Sequence, residues 1–84
     1  MSTWSILDHT AKVLDARQDE YGDPCELLGD IARRWSITSG ERITPQQVVL
    51  CMIDLKLARL AYNPGHIDSI VDVIGYAVLL KELC

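Results

Sequence analysis

The chain has 84 residues, 49% of them hydrophobic and 24% charged, and carries a net charge of −4. That length leaves room for one core, spanning 1–84 as a single domain, and that composition suits a compact globular fold rather than disorder. The eight Lys and Arg are scattered among twelve Asp and Glu, which argues against sequence-specific nucleic-acid binding, because that usually needs a basic patch.

Four helices account for nearly all of the chain. The first is predicted over about Thr3 to Gln18, with Ile6, Leu7, Thr10, Ala11 and Leu14 on one apolar stripe. After the loop Asp19-Glu-Tyr-Gly-Asp-Pro24, Asp23 reads as the N-cap of a second helix over Pro24 to Ser39. Pro24 takes its first position and Glu26 completes a capping box. Leu27, Leu28, Ile31, Ala32 and Trp35 share its inner face, and Gly40 closes it. Thr44 and Pro45 start a third helix that runs to about Tyr62 and stops at Asn63-Pro-Gly65. The fourth starts at His66 or Asp68 and ends near Leu83.

The expected fold is therefore all-α, a compact four-helix bundle-like domain. Helices three and four are apolar around most of their circumference, and such helices are buried on several sides. The surplus apolar surface predicts completion by a homo-oligomer.

Cys25, Cys51 and Cys84 form no CxxC pair, which argues against a disulfide framework and for a reducing compartment. The N-terminal run 1–9 lacks the basic and apolar segments of a signal peptide. The longest apolar run, 48–53, is too short to span a bilayer. A cytoplasmic protein without membrane contact is expected.

The polar residues of the last two helices draw attention. Asp68, Asp72 and Tyr76 project from neighbouring positions, with Gly75 beside them. Gly75 costs a helix about 1 kcal/mol relative to Ala, so a close approach is expected there. The two carboxylates at i, i+4 suit a shared divalent cation. Equally, Asp68 can cap the helix while Asp72 pairs with a base.

On the third helix Lys56 and Arg59 share a face with Val48 and Met52. They suit phosphate, as forked and point-charge donors do, or pair with Asp68 and Asp72. The two readings overlap, because acids and bases facing each other across a cleft also hold a magnesium–phosphate complex. Asp54 falls among Leu50, Cys51, Leu57, Ala58 and Ala61. A carboxylate on that apolar face would be largely desolvated. Asp54 is therefore expected to have a partner: a metal, a hydrogen-bond donor from another helix or subunit, or a cation such as Arg17, Arg33 or Arg34. No Ser/His/Asp arrangement is legible, and His9 reads as a surface residue.

These residues also spell a family pattern. It runs Arg17-Gln-x-x-Tyr21-Gly-Asp-Pro24, Ile31-Ala with Trp35, and Ile43-Thr-Pro with Val48 leading into Leu55-Lys-Leu-Ala-Arg59. It closes with Asn63-Pro-x-His66-x-Asp68-Ser-x-x-Asp72-x-x-Gly75-Tyr76-Ala77. Over nearly the whole chain this resembles a small, mainly phage-encoded group called MazG-like, itself similar to the all-α nucleoside triphosphate pyrophosphatase clan. The clan resemblance implies an obligate helical assembly, magnesium, and hydrolysis of a nucleoside triphosphate to monophosphate and pyrophosphate. Its later acidic pair maps onto Asp68 and Asp72. Its Glu-Glu-x-x-Glu cluster does not map, because the matching helix carries Asp54, Lys56 and Arg59.

Three functions follow as expectations. The first is capture of a phosphorylated nucleotide or nucleotide-derived signal with little turnover, as in a phage protein sequestering a host signal. Lys56 and Arg59 would hold phosphate, Tyr21, Trp35 or Tyr76 would stack a base, and His66, Asp68 and Asp72 would bond sugar or base. The second is a magnesium-dependent pyrophosphohydrolase with Asp68, Asp72 and either Asp54 or Asp23 on the metal. The third is an inhibitor or adaptor that binds a host protein.

Overall fold

The computed structural model describes residues 3–83. Four helices follow in chain order: α1 Thr3–Tyr21, α2 Pro24–Ser39, α3 Pro45–Tyr62 and α4 Ile67–Leu80. Among the described residues there is no strand. The all-α, bundle-like architecture expected from the helical periodicity is the one found.

Local chemistry sets the boundaries. Cys25 N–H donates to Asp23 Oδ1 at 3.0 Å, and Pro24 opens α2. This cap works without the reciprocal Glu26 bond expected of a capping box. Gly40 closes the helix at φ 76°, a left-handed conformation that glycine adopts without steric cost. Thr44 and Gln47 form a complete capping box at α3: Gln47 N–H donates to Thr44 Oγ1, and Thr44 N–H donates to Gln47 Oε1. The α2–α3 loop is held to α2 by Ser36, whose Oγ donates to Ala32 O at 2.7 Å and accepts from Ile43 N–H at 2.8 Å. Ser36→Ala would leave that half-buried N–H without its partner. Loss of about 1–2 kcal/mol is expected in urea denaturation.

Packing follows the order α2–α3–α4–α1. Helix α3 makes its largest contacts with α4 and α2, and α1 lies mainly on α4. Leu28, Ala32, Val48 and Val49 form the core cluster, with Ile31, Trp35, Met52, Ile53, Tyr76 and Leu80 packed against it. On α1 the inward stripe is rotated from the expected one. Thr10 is buried and donates to Ile6 O, Val13 and Leu14 are half-buried, and Leu7 and Ala11 face outward. Gly75 fulfils the close approach expected of it, since a Cβ there would lie 3.3 Å from Leu14 Cδ2.

One expectation is corrected at the cysteines. Cys25 is disulfide-bonded rather than reduced. Cys51 is free and exposed. Cys84 lies outside the described residues. Among the described residues no helix is long and apolar enough to cross a membrane.

Candidate functional site

The start of α4 builds one wall of a cleft. His66, not Asp68, is the N-cap: Ser69 N–H donates to His66 Nδ1 at 3.3 Å, and Ser69 Oγ lies 2.7 Å from the same nitrogen. Because Nδ1 accepts from a backbone N–H, the neutral ring carries its proton on Nε2. Ser69 is fully buried, so this pair fixes the imidazole. Asp68 sits in the first turn of α4, where a carboxylate complements the positive end of the helix dipole.

One turn further on, Asp72 is clamped between two cations from different helices. Its Oδ1 lies 3.0 Å from Arg17 Nη2 of α1, and its Oδ2 lies 3.0 Å from Lys56 Nζ of α3. Both Lys56 and Asp72 are largely buried, with side-chain exposures of 14% and 12%, while Arg17 is 46% exposed. The triad therefore ties α1, α3 and α4 together at one point. For Lys56 the expected ion pair with Asp72 is present.

Beside this triad, His9, Val13, Arg17, Arg59, His66, Asp68, Val71 and Asp72 line a cleft of about 410 Å³. Its size falls within the roughly 300–1,000 Å³ usual for small-molecule sites. Arg59 lines the cleft without an ion pair among the described residues, as does Asp68. Among the lining residues two cations, Arg17 and Arg59, face two carboxylates, Asp68 and Asp72, on a chain of net charge −4. A second depression of about 450 Å³ lies between α2 and the α2–α3 loop, lined largely by Gly29, Ala32, Ile37, Ile43 and Pro45. Its polar groups, Arg33, Ser36 and Arg42, come from α2 and the loop after it alone, and its Arg33 already pairs with Asp30. We take the α1–α3–α4 cleft as the site.

The structure thus unites Arg59, His66, Asp68 and Asp72, and adds Arg17 and His9. Trp35 and Tyr76 instead pack against the core cluster, and Tyr21 is exposed one turn beyond Arg17, outside the cleft. Asp54 corrects the expectation of a desolvated carboxylate. It is exposed and makes no ion pair among the described residues, because the face it occupies points to solvent. His9, Val13 and Arg17 follow one another at intervals of four, which places them on one line of α1. That spacing was the available signal for the two added residues.

Among the described residues no three His, Cys, Asp or Glu side chains converge to hold a metal ion. Both Asp72 oxygens already accept from cations, which leaves Asp68 alone as a free carboxylate. The donor set does not fit magnesium.

Comparison with known proteins places the chain among phage sequences. It is 37% identical over 81 residues to the Gene 55 protein of Mycobacterium phage L5, an alignment covering 94% of this chain and 52% of that protein. It is 32% identical over 80 residues to the Gene 55 protein of Mycobacterium phage D29, covering 94% of this chain and 53% of that protein. The chain spans about half the length of these curated relatives. No solved structure matches it. Residues 5–84 match the family described as Domain of unknown function (DUF6378), and the chain belongs to that family.

Proposed function

We propose that the protein captures a phosphorylated nucleotide or nucleotide-derived signal in the α1–α3–α4 cleft, with little or no turnover. The observation that carries this reading is Arg59, a cation without an ion pair among the described residues, which lines the cleft beside Arg17 and the His66 ring. Guanidinium groups offer forked donors that match phosphate oxygens, and His66 Nε2–H supplies a neutral donor. Asp68 is placed to accept from a sugar hydroxyl or a base amine. Val13, Val71 and the His9 ring offer an apolar face for a base.

The MazG-like resemblance supports a nucleotide as ligand. The missing acidic cluster on α3, together with the engaged oxygens of Asp72, supports capture over metal-assisted hydrolysis. The phage origin of the relatives is compatible with a role in sequestering a host signal.

A thermal-shift panel of nucleoside mono-, di- and triphosphates and cyclic nucleotides, with and without magnesium, tests the proposal. A ligand at 100 times its Kd adds about 2.7 kcal/mol, which is about 10 °C or more for a domain this small. The expected result is a magnesium-independent rise in Tm that is lost in Arg59→Ala. A rise only with triphosphate and magnesium, accompanied by pyrophosphate release, would replace capture with hydrolysis. No rise with any nucleotide would favour a protein partner.

A further inference from the structure

The depression between α2 and the α2–α3 loop combines an apolar floor with a cationic rim. Gly29, Ala32, Ile37, Ile43 and Pro45 supply the apolar lining of a space of about 450 Å³. Ile37 is 83% exposed, and because it adjoins this hollow it belongs to a continuous apolar patch rather than standing alone. Two guanidinium groups, Arg33 and Arg42, line the same hollow, and no carboxylate does. On a chain of net charge −4 that is a local reversal of sign. Arg42 is exposed and makes no ion pair among the described residues. Arg33 pairs with Asp30, but both side chains are open to water, at 72% and 63% exposure, and such pairs exchange partners at little cost.

Gly29 points to an occupant. It stands inside α2, where glycine is less favourable than alanine. At Gly75 the same cost is matched by Leu14, which packs 3.3 Å from where a Cβ would stand. At Gly29 nothing comparable is present: a Cβ would meet only Arg33 Nη1, at 3.9 Å, the far end of a flexible side chain. Packing among the described residues gives Gly29 no reason to lack a side chain, and the backbone it leaves bare lines the hollow. The hollow is also held in shape. Ser36 Oγ donates to Ala32 O and accepts from Ile43 N–H, which ties the loop to α2, and a preformed surface loses less order on binding.

We propose that this hollow docks an acidic peptide segment of a partner protein, which lays a large aliphatic side chain over Gly29 and sets carboxylates against Arg42 and Arg33. Charge complementarity selects the occupant, since arginine forks match carboxylates. An apolar centre with arginine beside it is also the composition of protein interfaces. A nucleic-acid strand fits less well, because the lining offers no aromatic ring on which a base could stack. The inference stands independently of nucleotide capture, since the hollow shares no lining residue with the α1–α3–α4 cleft.

The test is fluorescence anisotropy of the purified chain with short labelled peptides, each carrying a central Leu or Ile flanked by Glu and Asp. Counterparts with Gln and Asn in place of the acids, and a labelled single-stranded oligonucleotide, run beside them. Gly29→Leu and Arg42→Glu are measured with the same probes, and the Tm of each is recorded. The acidic peptides should bind saturably, about tenfold or more tightly than the uncharged ones, and added salt should weaken them. Gly29→Leu should keep or raise the Tm, because leucine favours a helix more than glycine does. It should nevertheless lose about tenfold or more in peptide affinity, because its side chain fills the hollow. Arg42→Glu should lose affinity through charge. No acidic-peptide binding at about 1 mM, equal binding of the uncharged peptides, or affinity unchanged in both variants would overturn the proposal. So would binding of the oligonucleotide in place of the peptides, lost in the same two variants.

Discussion

Asp72→Ala is expected to remove about 3 kcal/mol of stability, measured as the fall in urea midpoint at unchanged slope. The physical cause is the stranding of Lys56. Its ammonium group is largely buried and is held by Asp72 Oδ2 at 3.0 Å. Removing one partner of a buried pair costs about 3–5 kcal/mol, because the remaining charge keeps its desolvation penalty. The lower end applies, since the Arg17 side is half open to water and relaxes into solvent. Against a total stability of about 4–12 kcal/mol for a chain this long, that loss is severe. Lys56→Met should cost far less, since it leaves Asp72 paired with Arg17 and puts an apolar side chain beside Val48 and Met52. A change below 0.5 kcal/mol for Asp72→Ala would show that the triad does not hold the three helices together.

Arg59→Ala is expected to behave in the opposite way. Arg59 is exposed and has no ion pair among the described residues, so its removal should change stability by less than about 0.5 kcal/mol. Nucleotide affinity should nevertheless fall about 10- to 100-fold, because hydrogen bonds from charged donors are worth about 1.5–3 kcal/mol each. Arg59→Lys should recover only part of that loss, since an ammonium group is a point charge without the planar fork. Titration calorimetry of both variants with the nucleotide that stabilises the wild type measures this. Unchanged affinity in Arg59→Ala would place the ligand elsewhere.

Much of the fold could be read in the sequence because the helix boundaries carry explicit chemistry. Asp23-Pro24, Thr44-Pro45 with Gln47, Gly40, and Asn63-Pro-Gly65 each mark an end through a local bond or a restricted dihedral. The close approach at Gly75 was also legible, from its cost in a helix interior. Which face of α3 turns inward was not legible. The helix is apolar on both sides, and Lys56 on one side and Asp54 on the other give periodicity no means to choose. The choice is made by a tertiary partner, since Lys56 meets Asp72 on α4. That pairing is among the expectations from sequence, but the helix periodicity there is read the other way, with Asp54 turned inward.

The site divides in the same way. Arg59, His66, Asp68 and Asp72 were found because α3 and α4 form a hairpin across a short turn, so chain proximity brings them together. Arg17 and His9 reach the cleft through the packing of α1 on α4, a contact between distant parts of the chain. Trp35 and Tyr76 illustrate the converse. Aromatic residues suit stacking on a base, but they also fill cores, and only packing separates the two uses.

The claim that the α1–α3–α4 cleft receives a phosphorylated nucleotide is tested most directly by amide and histidine-ring NMR spectra during nucleotide titration, without magnesium. The predicted result is saturable shifts at His9, Val13 and Arg17, at Arg59, and at His66 through Asp72, with the rest of the chain little changed. Spectra that do not respond, or shifts centred on Arg33 and Arg42 at the α2 depression, would contradict it.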